Sequence, residues 1–310
     1  MARATGARMQ STQRFGFLVG LAAYLIWGSL PLYIRAMRHI LPQELLAHRV
    51  IWSVPAALIL IAVARNWNDV RLAFRWKTLR WLLISSVLIG SNWAMYIWAV
   101  NADRTLEASL GYYINPLVNV LFGMVLFAER LRPAQWVAVG IAVVGVAVMA
   151  SALGQVPWVA LFLCFTFGIY AVIRKKVVID SRAGFFAEVV VLVPFALGWL
   201  AWFAGQPDGR LMGEGGMDVP LLMAAGPITA VPLILFALAA KRLRLSTIGM
   251  MQYIGPTLQF LIAVLVFHET FGPTHAIAFG CIWAALVVFT VDSLVGEARA
   301  RRLARSAGPA

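Results

Sequence analysis

Residues 108–133 read ASLGYYINPLVNVLFGMVLFAERLRP: the stretch is apolar enough to cross a bilayer, yet its first half carries Gly111, Tyr112, Asn115, Pro116 and Asn119. The surrounding chain is of the same kind, with 62% of its 310 residues hydrophobic and 13% charged. A water-soluble domain is about half apolar and a quarter charged, so the excess points to lipid as the solvent. Crossing hydrocarbon takes roughly 20 mainly apolar residues. Ten runs meet that need, at 15–34, 45–64, 80–100, 106–127, 134–151, 156–173, 184–203, 219–239, 246–267 and 274–294. The first follows Arg3, Arg8 and Arg14 as a signal peptide would, but it lacks a small-residue cleavage site and reads as a retained helix. The sequence predicts an all-α polytopic membrane protein with ten transmembrane helices.

The formal net charge of +13 has a topological reading. With the N-terminus in the cytoplasm, 21 of the 26 Lys and Arg residues fall on the inner side and every even-numbered connection is basic. That asymmetry is the positive-inside signature and puts both termini in the cytoplasm. A nucleic-acid partner would require a basic face on a soluble domain, and the basic residues here sit in short clusters between apolar runs. Cys164 and Cys281 both lie inside apolar runs and make neither a disulfide framework nor a metal site. No HExxH or GxSxG motif is present, and the four histidines lie near span ends, so the chain reads as a non-enzyme without a cofactor.

The opening stretch has a second copy. Residues 248–273, IGMMQYIGPTLQFLIAVLVFHETFGP, match it at a constant offset of 140: Tyr113 with Tyr253, Pro116 with Pro256, Phe127 with Phe267, Glu129 with Glu269, Pro133 with Pro273 and Gly140 with Gly280. Trp27-Gly28 faces Phe167-Gly168 in the same register. Each unit carries five spans, an odd number, so the second copy must enter the membrane from the opposite side. Two inverted five-helix repeats follow, over 15–151 and 156–294, flanked by cytoplasmic tails 1–14 and 295–310. In carriers built this way the substrate site lies near the midplane, between repeats, where helices are interrupted by Gly or Pro.

This explains the polar residues. Tyr112, Asn115 and Asn119 share one face of span 4 beside Pro116, and Gln252, Pro256 and Gln259 share the corresponding face of span 9. Together they are expected to wall a central cavity, although such amides also bond helix to helix at ~0.6–2 kcal/mol each. Asn92 and Trp93 in span 3, and Tyr24 and Trp27 in span 1, are further lining candidates; stacking and cation–π attraction suit aromatic walls. Gly168, Tyr170, Pro227 and Pro232 are weaker candidates from the second repeat. Glu107 and Glu188, titratable groups inside spans, are candidates for proton coupling. Arg49 is expected to pair with Glu44, Asp103 or Glu107, and Glu188 with Arg174, Lys175 or Arg130. Glu129 and Glu269 each stand four residues before a proline that opens the next helix, and are expected to favour that helix's positive end. Ridges of small residues, Ala134-Ala138-Ala142 and Ala276-Gly280-Ala284, suit close packing inside the repeat or across a homodimer.

LGYYINPLVNVLFG, ERLRPAQWVAVGIAVVGV and MQYIGPTLQFLIAVLVFHE resemble the EamA family of the drug/metabolite transporter superfamily, and within it the RarD subgroup. The likeness extends over 15–294. It implies ten helices in two five-helix repeats and an inner-membrane carrier of a small organic solute, with export the implied direction. Taken with amides, tyrosines and aromatic faces that carry no fixed charge, it predicts a neutral, zwitterionic or aromatic metabolite or drug moved by alternating access. The alternative is a lipid-carrier flippase or a non-transporting membrane partner.

Overall fold

The computed structural model of the chain describes residues 2–127, 131–153, 156–207, 209, 211–240, 242–243 and 251–306. Helices α1 (Ala2–Ala36), α2 (Pro42–Ala64), α3 (Trp67–Ala73), α4 (Trp76–Asn101), α5 (Thr105–Phe127) and α6 (Pro133–Leu153) make up the first half. The second holds α7 (Trp158–Lys176), α8 (Ser181–Ala204), a four-residue extended segment β1 (Leu211–Glu214), α9 (Asp218–Ala240), α10 (Ile254–Leu261) and α11 (Pro273–Ser306). Among the described residues eight helices are long and apolar enough to cross a membrane, the first of them over Arg14–Ala36, and α10 with the π-helical turn Ile262–Val266 makes a shorter apolar helix. This is a multi-pass membrane protein. The short helix α3 was not among the predicted elements.

Helix ends follow local chemistry. Pro133 and Pro273 open α6 and α11 as expected, at the position where a missing N–H removes no hydrogen bond. Asp180 caps α8 by accepting from the backbone N–H of Arg182 at 3.0 Å. The Arg182 side chain also donates to that carboxylate, which holds Asp180 well below the usual carboxylate range, at about 2. Glu269 departs from expectation. Its carboxylate accepts from the backbone N–H groups of Thr105 and Leu106, both at 2.7 Å, so it caps α5 of the other half and not the adjacent α11. Its repeat-mate Glu129 lies outside the described residues.

The packing exchanges the two halves. α1 packs on α9 and α10, and correspondingly α7 packs on α4 and α5. α2 meets α8, α5 meets α10, and α6 meets α11, each the counterpart of its own partner. The same equivalence holds residue by residue. A Cβ on Gly28 would lie 2.8 Å from Leu258 Cβ, and one on Gly168 would lie 3.0 Å from Val118 Cγ1; both members of each pair are related by the 140-residue offset. Gly20 touches Met251, while Gly111 lies against the main chain of Ala160, again the same pair twice. The α6–α11 seam is built on Ala138, Ala142, Ala278, Ile282 and Ala285. On α11 the buried residues are thus not those of the predicted ridge: Ala276, Gly280 and Ala284 are exposed.

These close approaches lead to a paired prediction. A methyl group at Gly111 would meet the Ala160 carbonyl oxygen at 2.6 Å, whereas one at Gly140 meets nothing within 4 Å. Gly111→Ala should cost about 1–3 kcal/mol of stability by overpacking, while Gly140→Ala should be neutral or gain up to ~1 kcal/mol of helix propensity. Thermal unfolding of the two purified variants in detergent checks the difference.

Candidate functional site

The two proline-bearing helices meet inside the bundle. Pro116 and Pro256 are both buried, and Tyr113 on α5 hydrogen-bonds Thr257 on α10, oxygen to oxygen at 2.7 Å. The Thr257 hydroxyl donates to the Tyr253 carbonyl at 2.7 Å, so Tyr113 is the donor in the bond between helices. The prolines act differently. α5 continues through Pro116, whereas α10 begins only two residues before Pro256, inside the first turn where a proline is readily accepted. Asn115 and Gln259 are both buried, and among the described residues Asn115 Oδ1 and Gln259 Oε1 have no hydrogen-bond partner. The Gln259 amide donates to the Trp27 carbonyl at 3.3 Å, tying α10 to α1. Asn119 and Gln252 are exposed, so the sequence stripes divide into a buried and an open part.

The remaining candidates form two clusters. Tyr24 and Trp27 make an aromatic group with Phe236 of α9, with ring centroids 5.6–6.2 Å apart. Asn92 is fully buried and joins three helices: its amide donates to the Leu163 carbonyl at 3.0 Å and to Thr166 at 2.8 Å, and its carbonyl accepts from Tyr112 at 3.2 Å. Tyr112 in turn packs edge-on against Tyr96 and Phe167. Asn92 is therefore saturated by protein, while Trp93, one residue on, faces a charge.

That charge is Arg49. None of the expected acids meets it, because each is already engaged. Glu44 accepts from Gly213 N–H at 3.1 Å, Asp103 pairs with Arg35 and Arg38, and Glu107 pairs with Arg104 at 2.6 Å. Arg49 is 8% exposed, donates from Nε to Thr229 at 3.0 Å, and lays its guanidinium 4.4 Å from the centre of the Trp93 ring. Gly226, one turn before Thr229, allows this by letting α9 close on the α2 main chain at Trp52. Thr229 donates its own proton to the Ala225 carbonyl, which leaves its oxygen free to accept. Among the described residues the guanidinium has no carboxylate partner, and its two Nη groups have no acceptor. It borders a narrow cleft walled by Leu30, Tyr33 and Ile34 of α1, Leu45 of α2, Ile97 of α4, and Ile228 and Thr229 of α9. The sequence leads one to expect a site without fixed charge, and this cleft has a buried cation at its edge. Tyr33 and Thr229 went unnoticed in the sequence, since nothing marks a span hydroxyl as facing a cavity until its neighbours are placed.

The two acidic candidates differ. Besides its pairing with Arg104, Glu107 accepts from the Val159 N–H at 3.0 Å and so caps α7, a structural post. Glu188 is 1% exposed and accepts from Ser85 at 2.6 Å and Tyr170 at 3.3 Å, with Arg174 Nη1 3.5 Å away. This cluster joins α4, α7 and α8. Gly184 is needed beneath it, because a side chain there would collide with the Arg174 guanidinium.

Three comparisons bear on this arrangement. A family model described as EamA-like transporter family matches residues 14–151. Protein RarD of Salmonella typhimurium is 45% identical over 91% of this chain and 96% of its own length, and a Vibrio cholerae protein named as an uncharacterized transporter is 43% identical over 94% and 97%. A solved structure titled only as the crystal structure of a protein superposes with a TM-score of 0.58 over 89% of this chain and 97% of that one, at 23% identity, which speaks to the fold alone.

The reassigned cap can be tested separately. Glu269→Ala should cost about 1–2 kcal/mol, the usual range for losing a cap at a helix N-terminus. Amide exchange should quicken at Thr105 and Leu106 while residues 273–276 keep their protection; exchange by mass spectrometry distinguishes the two helices.

Proposed function

Because the chain belongs to the EamA-like transporter family, alongside the RarD proteins, we propose that it carries a small zwitterionic or aromatic solute across the inner membrane by alternating access. In this reading ten spans form two inverted five-helix repeats with both termini in the cytoplasm, and export is the working direction. The observation that carries it is the exchange of packing between halves at a 140-residue offset: Gly28 on Leu258 and Gly168 on Val118, Gly20 on Met251 and Ala160 on Gly111. Two halves that make equivalent contacts can trade conformations, so that closing one side opens the other. The unpaired oxygens of Asn115 and Gln259, on the two helices that meet at Tyr113 and Thr257, support a solute site between the halves.

Glu188 is the candidate for proton coupling. Its partners Ser85, Tyr170 and Arg174 come from α4 and α7, so a proton on the carboxylate would weaken a link between helices of the two halves. Glu107 has no such freedom, being fixed between Arg104 and the end of α7.

Solute flux in proteoliposomes, screened over amino acids and aromatic compounds with and without a pH gradient, tests the reading. Asn115→Leu and Gln259→Leu should abolish flux while leaving folded yield intact. Glu188→Gln should transport at a rate that no longer responds to the gradient. Passage of a labelled lipid carrier in the absence of any solute flux would replace this function with lipid flipping.

A further inference from the structure

Resting on the transport reading, we infer that Arg49 is an anchor for the carboxylate of an amphiphilic organic acid or zwitterion. The guanidinium is more than nine-tenths buried and borders a cleft with otherwise largely apolar walls. An arginine removed from water is normally matched by a carboxylate or by a full set of acceptors, because a charge left bare in a low-dielectric site is costly. Here the protein supplies one acceptor, Thr229, and one ring face, Trp93. The acids within the sequence's reach are all committed elsewhere: Glu44 to β1, Asp103 to Arg35 and Arg38, and Glu107 to Arg104.

What remains is a set of donors without acceptors. Among the described residues Arg49 donates only from Nε, to Thr229, and the Tyr96 hydroxyl, buried and within electrostatic reach of Arg49, has no hydrogen-bond partner. Planar guanidinium N–H groups suit the two oxygens of a carboxylate. A single negative charge balances the single cation, whereas a phosphate dianion would leave one charge uncompensated. Leu30, Ile34, Ile97 and Ile228 form the wall facing the rest of the molecule, which suits an apolar body and not a sugar. The class is therefore a monocarboxylate with an apolar or aromatic body, including zwitterionic amino acids that carry such a body.

The test uses purified full-length protein and two matched pairs of probes: 3-phenylpropionate with 3-phenylpropionamide, and hexanoate with hexanamide. Binding is read by isothermal titration at constant ionic strength, with chloride as a competitor. In at least one pair the acid should bind tenfold or more tightly than its amide. Arg49→Gln should erase that preference, and Arg49→Lys should retain only part of it. Equal binding of acid and amide in both pairs, or binding of neither, overturns the inference in the wild-type protein, whether or not an Arg49 variant folds. One-for-one competition by chloride also overturns it, by reducing the site to a general anion site. Flux of the same probes separates this inference from the transport reading. An Arg49-dependent acid preference without any flux would remove transport and keep the site, while flux that is equal for acid and amide would remove the site and keep transport.

Discussion

A polar group placed in hydrocarbon has no water to turn to, so it must be satisfied by the protein or by what the protein carries. Most of the buried polar groups described here obey the first option. Glu107 and Glu269 sit at the starts of helices from the other half of the chain, Asn92 fastens three helices, and Glu188 collects a hydroxyl, a phenol and a guanidinium. Several of these bonds, those of Glu107, Glu269, Asn92 with α7, and Glu188 with Ser85, join elements distant in sequence. They make the two halves one body without any extended hydrophobic driving force, which lipid cannot supply between helices. Other buried atoms of the described residues have no such partner, Asn115 Oδ1, Gln259 Oε1 and Tyr96 Oη among them, and Arg49 donates to an acceptor only from Nε.

The backbone meets the same constraint by close approach. Gly28 and Gly168 let α1 and α7 rest on α10 and α5, and Gly111 brings α5 against the main chain of α7. Because these close approaches recur at the 140-residue offset, the corresponding seams of the two halves are built at the same positions. The turn at Gln252 and Tyr253 and the π-helical turn after α10 add a difference between halves, since α5 runs unbroken through Pro116.

Much of this was legible in the chain. Apolar runs placed the membrane-crossing parts of most helices, because length and hydropathy alone decide what can cross, but not the extensions of α1 back to Ala2 and of α11 on to Ser306. The shared Pro116–Pro256 register located the two helices that meet in the middle. What the sequence could not provide was partnership. Glu269 stands four residues before Pro273 and was assigned to the helix nearest in sequence, yet it serves α5, because the fold brings the start of α5 to it. Arg49 is expected to share its side of the membrane with Glu44, Asp103 and Glu107 and to pair with one of them, yet all three are engaged by other groups. Both errors have one physical source: a charge in low dielectric takes the best available partner in space, and span-level reading ranks partners by depth alone. Thr229 carried no signal at all until Gly226 was seen to bring α9 onto α2.

The two buried ions define opposite tasks. Around Glu188 both carboxylate oxygens accept from hydroxyl groups and a guanidinium stands close by, so the cluster acts as a fastening between helices. Around Arg49 the set is incomplete, so that site gains most when a guest brings the missing acceptors. Trp93 lessens the cost of the bare cation by turning its electron-rich face toward it, and such attraction is worth up to ~2 kcal/mol when desolvated. That is less than a carboxylate can offer. The ring contact therefore keeps the arginine tolerable in an empty carrier and still leaves room for a substrate to bind, which a permanent internal salt bridge would not.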